Sequence, residues 1–391
     1  MTDKNLVYQT AFGLVFKATK NTFPFENKKE FLSFKKYYDQ EKSKILPLVK
    51  NDEDFFIFLE NFLSELKNSH TKLGFYPGKI FFKPSGYRTV LIEKRFFLNK
   101  KNKIIGEILA IDGQEPKKAL ALALKNISGP TKQYAIQKGL NFLLADKGRK
   151  PLQIKLKMNN KNIWRKLERQ KIIYQPYKKN IETKIFSNNI GYWKIRSWEN
   201  KQISDEDIET TLRYFSNNKI RALIIDLRGN LGGNSNIAKT LASHFFNKQV
   251  LFSITKRRKA KSNFILRTSY SYVRPQKPYL ELPIVLLIDT LGFSSNEYFI
   301  AGMKDNKRAI LLGETTGGGS GNPIKLIFPF KKSFFELFIS TWLYFRPNGQ
   351  PLEGRGIKPH IIIKPRIKDL LAQNDAVLRR ARAEAKRLIK R

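Results

Sequence analysis

Residues 284–303 read Ile284-Val-Leu-Leu-Ile-Asp289-Thr-Leu-Gly292-Phe293-Ser294-Ser295-Asn296-Glu297-Tyr-Phe-Ile-Ala-Gly-Met303. A short, wholly apolar run ends at an aspartate, crosses a glycine turn and enters a helix that opens on serine. Apolar runs of five or so residues without alternation are strands buried on both faces. The same grammar recurs outward. Arg221-Ala-Leu-Ile-Ile-Asp226 and Ala309-Ile-Leu-Leu-Gly313 are apolar strands, and Ile190-Gly-Tyr-Trp-Lys-Ile195 is a further one. Helical stretches separate them at Ser204–Phe215 and Asn236–Phe246. Strands alternating with helices predict an α/β core built on a parallel sheet with crossover helices.

The flanks read differently. Residues 1 to about 75 are helical in pattern; Asp52-Glu-Asp-Phe-Phe-Ile-Phe-Leu-Glu-Asn-Phe-Leu63 sets acids in a first turn and apolar residues at helical spacing, with Asn68 as a candidate C-terminal cap. From about 80 to 172 short strands such as Tyr87–Ile92 and Gln153–Met158 alternate in period two. Gly106-Glu-Ile-Leu-Ala-Ile-Asp112-Gly113 is a strand ending in an Asp-Gly turn, followed by a helix over Lys117–Leu124. The tail Asp375–Lys390 is a basic helix with Val377, Ala381, Ala385 and Leu388 in register. The division expected is 1–78 helical, 79–175 a small α+β module, 176–365 the core and 366–391 the basic helix.

At 391 residues, 41% hydrophobic and 13% aromatic, the chain can bury a real core and is long for one domain. The 74 Lys and Arg against 33 Asp and Glu give a formal charge of +41. That balance permits contact with nucleic acid or an anionic surface. The basic residues are scattered, however, as in Lys100–Ile104, Lys155–Lys166 and Thr255–Lys261, and no nucleic-acid-binding motif accompanies them. There is no cysteine, which excludes disulfides, thiolate metal sites and a cysteine nucleophile. The only histidines are His70, His244 and His360, too few for a histidine-rich metal site, and no cofactor is expected. The apolar run Ala11–Phe16 is short for a secretory signal and no run reaches membrane-spanning length, so the sequence predicts neither, and leaves the compartment and the oligomeric state open.

Four segments carry chemistry or a plainer alternative. Ser294 at a helix start faces unsatisfied amides suited to an oxyanion, yet Ser294 and Glu297 also have capping-box spacing. Asp226-Leu-Arg-Gly-Asn-Leu-Gly232-Gly233-Asn234 can expose amides to a ligand or be a tight turn, and matches no phosphate loop. Asn68-Ser69-His70-Thr71 offers a base or a surface histidine, while His244 and His360 read as structural. Glu353, in Leu352-Glu353-Gly354-Arg355-Gly356, is a solvated loop residue unless it orients a base.

Taken together and in this order, with Gly313-Glu314-Thr-Thr316 and Glu353-Gly-Arg-Gly356-Ile-Lys-Pro359, these segments resemble the S41 serine peptidases, the family of tail-specific and tricorn-core proteases. The resemblance spans residues 68–360 and implies a ClpP/crotonase-like αβ core. Ile108-Leu-Ala-Ile-Asp-Gly113 resembles the family's PDZ-like module, though without an obvious carboxylate-binding loop. One catalytic design in the family is a Ser-Lys dyad; the position that would carry the lysine is Gly319 here. The tricorn-like design uses Ser, His, a second Ser and Glu, and the chain has Ser294, His70, Ser69 and Glu353 at the matching places. Two positions depart from the family pattern: His360 stands for the usual Asp, and Asn296 for the commoner Ser.

The resemblance implies a serine endopeptidase acting on a peptide or protein through an acyl-enzyme, with Ser294 as nucleophile and His70 as base. Ser69 would link His70 to Glu353, and the amides of Ser295 and of the Gly232-Gly233 turn would form the oxyanion hole. Activity would then rise with pH through the ordinary histidine range, near ~6.5. The alternative is a non-catalytic carrier of an apolar ligand on the same fold, as in retinoid-binding relatives.

Overall fold

The computed structural model describes residues 3–78, 81–101, 103–125, 127, 129–172, 179–259 and 264–390. Lys79 and Gln175 at the expected module boundaries, Asn102, and the end of the basic run at Ala260–Lys261 lie outside the described residues.

The apolar runs assemble as a six-stranded sheet in the order Ile361–Ile362, Ala309–Gly313, Ile284–Ile288, Ala222–Asp226, Ile190–Ile195, Ile181–Phe186. All neighbours run parallel except the last pair. Alternate side chains go to opposite faces. Leu223, Ile225, Leu286 and Ile288 point with Trp193 into a core closed by the helices Asp205–Asn217, Ser235–Ser243 and Ser295–Asp305. Ala222, Ile224, Val285 and Leu287 face the opposite way, onto Val377, Ala381 and Ala385 of the C-terminal helix Ala376–Ile389. The basic tail is thus one layer of the α/β sandwich, and its small residues at every fourth position let it lie close to the sheet.

The N-terminal helices Asp3–Thr22, Lys28–Leu48 and Asp52–Ser64 do not pack by themselves. Phe12, Phe55, Phe56 and Phe62 share a core with Phe330, Phe335, Leu337 and Ile339 of the hairpin Ile324–Phe330/Ser333–Ile339. Lys72 and Leu73 then pair with Phe338 and Leu337 of that hairpin. This pairing delivers residues 68–71 to the C-terminal edge of the parallel sheet. The long helix stops at Ser64, and Asn68 is no helix cap; its Oδ1 accepts from the amides of His70 and Thr71 at 3.1 and 3.0 Å.

Residues 87–167 contain a five-stranded antiparallel sheet in sequence order, with helices Pro116–Lys125 and Lys132–Phe142. Asp112 and Gly113 both take positive φ, 46° and 81°, as an Asp-Gly hairpin turn requires. A separate three-stranded sheet, Leu266–Val273, Val250–Arg258 and Leu343–Phe345, stands beside the Ser295–Asp305 helix. No helix among the described residues is long and apolar enough to cross a membrane.

Candidate active site

The turn after strand Ile284–Ile288 sets Ser294 in a conformation few non-glycine residues adopt, φ 57° and ψ −126°. Its amide donates to the Gly319 carbonyl at 3.0 Å, and its carbonyl accepts from Glu297 and Tyr298. The hydroxyl caps nothing in its own helix. The capping-box alternative is therefore displaced. The Glu297 carboxylate turns instead to the glycine loop, accepting from Gly318 and Gly319 amides at 2.9 Å each and from the Thr316 hydroxyl. Burial pushes this carboxyl up to about 8, against the pull of those three donors.

Free of the helix, Ser294 Oγ lies 3.1 Å from His70 Nε2. The other ring nitrogen, Nδ1, is 3.3 Å from Ser69 Oγ, which donates to Glu353 Oε1 at 2.9 Å. Glu353 also accepts from the amides of Ser69 at 2.8 Å and Ser320 at 2.9 Å. These partners assign the tautomer. With the Ser69 proton given to a carboxylate, its oxygen accepts from Nδ1–H, leaving Nε2 bare to accept from Ser294. The four residues singled out from the sequence are thus joined in one chain of contacts.

His70 is 7% exposed. Burial, with Lys72 nearby, pushes its pKa down to about 3. Burial moves Glu353 the other way, up to about 7, against three hydrogen bonds that favour the anion. The ring is clamped by π contact: Phe293 stacks on His70 at 4.9 Å, and Tyr134 stacks on the far side of Phe293 at 4.7 Å. Tyr134 belongs to the helix Lys132–Phe142, whose N-cap Thr131 donates to the Gly317 carbonyl at 2.9 Å. Phe293, Tyr134, Asn68 and Glu297 are site residues the sequence reading did not single out as such; the Asn68–His70 spacing of an Asx turn was the one legible signal.

The Asp226–Gly233 segment is held from below. Asp226, 1% exposed, accepts from Tyr192 Oη at 2.9 Å, Lys194 Nζ at 3.0 Å and the Arg228 guanidinium at 2.7 and 2.9 Å. Burial opposes its ionisation, but Arg228 and Lys194 hold the carboxyl well below its usual range. Gly232 (φ 103°) passes so close to the serine turn that a Cβ would sit 2.8 Å from Phe293 O and from Ser294 Cβ. The three expected oxyanion amides are not equivalent. Gly232 N–H is occupied by Asn230 Oδ1 at 2.8 Å, so that expectation is corrected, whereas no described residue accepts from Gly233 N–H or Ser295 N–H.

Gly319 leaves no room for the lysine of the alternative design: its Cβ would lie 2.2 Å from both Ser69 Oγ and Phe293 Cε2. Asn296 accepts from Trp198 Nε1 at 3.1 Å and donates to Leu227 O, a structural brace. His360 accepts the Leu311 amide on Nδ1 at 2.9 Å, and buried His244 contacts Pro278 O at 3.0 Å; both are away from the serine. Beside Ser294 opens a cleft of about 550 Å³, lined chiefly by polar groups.

The sequence profile of peptidase family S41 matches residues 189–363. A carboxy-terminal-processing protease of Bartonella bacilliformis is 27% identical over 195 residues, 49% of this chain and 42% of that protein. Carboxy-terminal processing protease CtpB of Bacillus subtilis is 27% identical over 184 residues, 47% of this chain and 36% of that protein. The chain thus spans less than half the length of these relatives. Mature CPAF complexed with lactacystin has the same fold, with a TM-score of 0.80 at 14% identity over 99% of both chains. The tricorn protease aligns with 98% of this chain and 37% of its own, at a TM-score of 0.52 and 15% identity.

Proposed function

We propose that this chain, whose residues 189–363 form a peptidase family S41 domain, is a serine endopeptidase that cleaves peptide bonds through an acyl-enzyme on Ser294. The observation that carries the reading is the 3.1 Å contact between Ser294 Oγ and His70 Nε2, made by residues 224 positions apart. A hydroxyl alone is a poor nucleophile at neutral pH; it needs a positioned base. With its pKa near 3, His70 is neutral at working pH and ready to accept. It takes the Ser294 proton as Oγ attacks the carbonyl carbon, then passes it to the leaving amine, and water repeats the sequence on the ester.

Burial makes the imidazolium costly. A depression from 6.5 to about 3 corresponds to roughly 5 kcal/mol. Two negative charges offset it: the oxyanion, received by the amides of Ser295 and Gly233, and Glu353, acting through Ser69. Each oxyanion donor is worth roughly 3–4 kcal/mol in comparable sites. The tricorn-like Ser-His-Ser-Glu arrangement is thus the design the contacts favour, with Ser69 and Glu353 as positioning residues. The cleft beside Ser294, rich in hydroxyls, suits a peptide better than the apolar cargo of a carrier.

The test is covalent. A fluorophosphonate should label the wild-type chain on Ser294 and block hydrolysis of an unstructured protein such as casein. Ser294→Ala should lose both labelling and turnover while retaining its fold; full turnover in that variant would remove Ser294 from the role.

A further inference from the structure

The wall of the cleft opposite the serine turn is the three-stranded sheet, and its register has a chemical pattern. Ser253 lies opposite Ser271, and Thr255 lies opposite Ser269 on one side and Tyr344 on the other. Alternation puts Ser253, Thr255 and Arg257 on one face, and all three line the cleft together with Ser294 and Ser295. Arg257 is held over the Trp342 ring at 4.3 Å. Lys239, on the helix Ser235–Ser243, adds a second cation to the lining, which contains no Asp or Glu. Neither cation forms an ion pair with a described residue.

Two cations with no ion-pair partner among the described residues and a row of hydroxyls, with no carboxylate in the lining, are complementary to an anion on a short stem.

We propose that this cleft is a specificity pocket for an acidic side chain, Asp or Glu, flanking the scissile bond. The inference rests on the peptidase reading above. Arg257 and Lys239 pair with the substrate carboxylate, and the hydroxyl-bearing face of Ser253 and Thr255 supplies its remaining contacts.

The test uses peptides identical except for Glu, Gln, Leu or Lys at each position flanking the cleaved bond, with fluorophosphonate labelling run in parallel. Glu should exceed Gln by about tenfold in kcat/KM, the gain of a charge-assisted hydrogen bond, and Lys by more. Arg257→Glu should reverse the order of Glu and Lys. Lys166→Glu, at an exposed residue of strand Lys161–Leu167, changes net charge equally and should leave the order intact. A labelled enzyme that prefers Leu, ignores charge, or responds equally to both reversals overturns the pocket assignment while the peptidase reading stands. Failure to label overturns both. Peptide binding to Ser294→Ala, followed by fluorescence anisotropy, gives the same comparison without turnover; Glu and Lys peptides binding alike would also overturn the assignment.

Discussion

Replacing Glu353 by Gln keeps the shape of the side chain and removes its charge. The contacts of 2.9 Å from Glu353 to Ser69 Oγ and 3.3 Å from there to His70 place the carboxylate oxygen no more than about 6 Å from Nδ1. At an effective dielectric near 20, a unit charge at that distance stabilises the imidazolium by about 2.8 kcal/mol, or about 100-fold in rate. The amide also turns an NH₂ group toward Ser69 or Ser320, each of which already donates there. The expected result is a loss of about 100-fold in kcat/KM at pH 8 on a fluorogenic peptide. The pH dependence makes the test sharper. Sequence reasoning alone places a rising limb at the ordinary histidine pKa. In the structure His70 is pushed down to about 3, so it stays unprotonated throughout pH 5–8. Within the Ser294–His70–Ser69–Glu353 chain, the group that titrates in that window is Glu353, raised to about 7 by burial; Glu297, pushed up to about 8, lies outside that chain and is unchanged in the Gln variant. Wild-type kcat/KM should rise with pH through about 7 as the carboxylate ionises, and the Gln variant should lack this limb. At pH 6 about a tenth of Glu353 is still ionised and the gap should narrow to about tenfold, closing to about twofold at pH 5. A variant within threefold of wild type at pH 8, or one that keeps the limb near 7, would refute the relay.

Other substitutions probe other links. His70→Ala should lower kcat by about 10⁴-fold or more with folding intact by circular dichroism, since no other base among the described residues reaches Ser294; retention of a tenth of the activity would discard it. Gly319→Ala forces a methyl against Ser69 Oγ and Phe293 and should cost about 100-fold in kcat through displacement of the relay; unchanged kcat would show the loop yields freely. Asp226→Asn leaves Arg228 and Lys194 without their buried anion and should cost about 3–5 kcal/mol in denaturant unfolding. A loss under about 1 kcal/mol would mean that Asp375, which also pairs with Arg228, suffices.

The central strands and the serine turn were legible because a strand buried on both faces has nothing polar to disguise it: Ala222–Asp226 and Ile284–Ile288 are buried at every position. Ser69, His70, Ser294 and Glu353 were legible through residue types and their order, although no spacing could reveal that Lys72 and Leu73 pair with Phe338 and Leu337. The hairpin Val250–Arg258/Leu266–Val273 escaped notice for the opposite reason. One of its faces lines a polar cleft and the other meets solvent, so Thr268-Ser-Tyr-Ser-Tyr272 carries no hydrophobic period. Tyr134 escaped because its task is defined by a ring on a distant segment, and Gly232 because its amide is claimed by a neighbour's side chain rather than by anything in its own pattern.

The stack of Tyr134, Phe293 and His70 also bears on what may be cut away. The stretch that answers to the family profile begins at residue 189, yet it contains Ser294, the proposed nucleophile, without His70, the proposed base, and the phenyl ring without the phenol behind it. Those missing halves are contributed by the helical leader and by the five-stranded insert. On the proposed mechanism, a fragment trimmed to the recognisable peptidase stretch would keep the signature and lose the reaction.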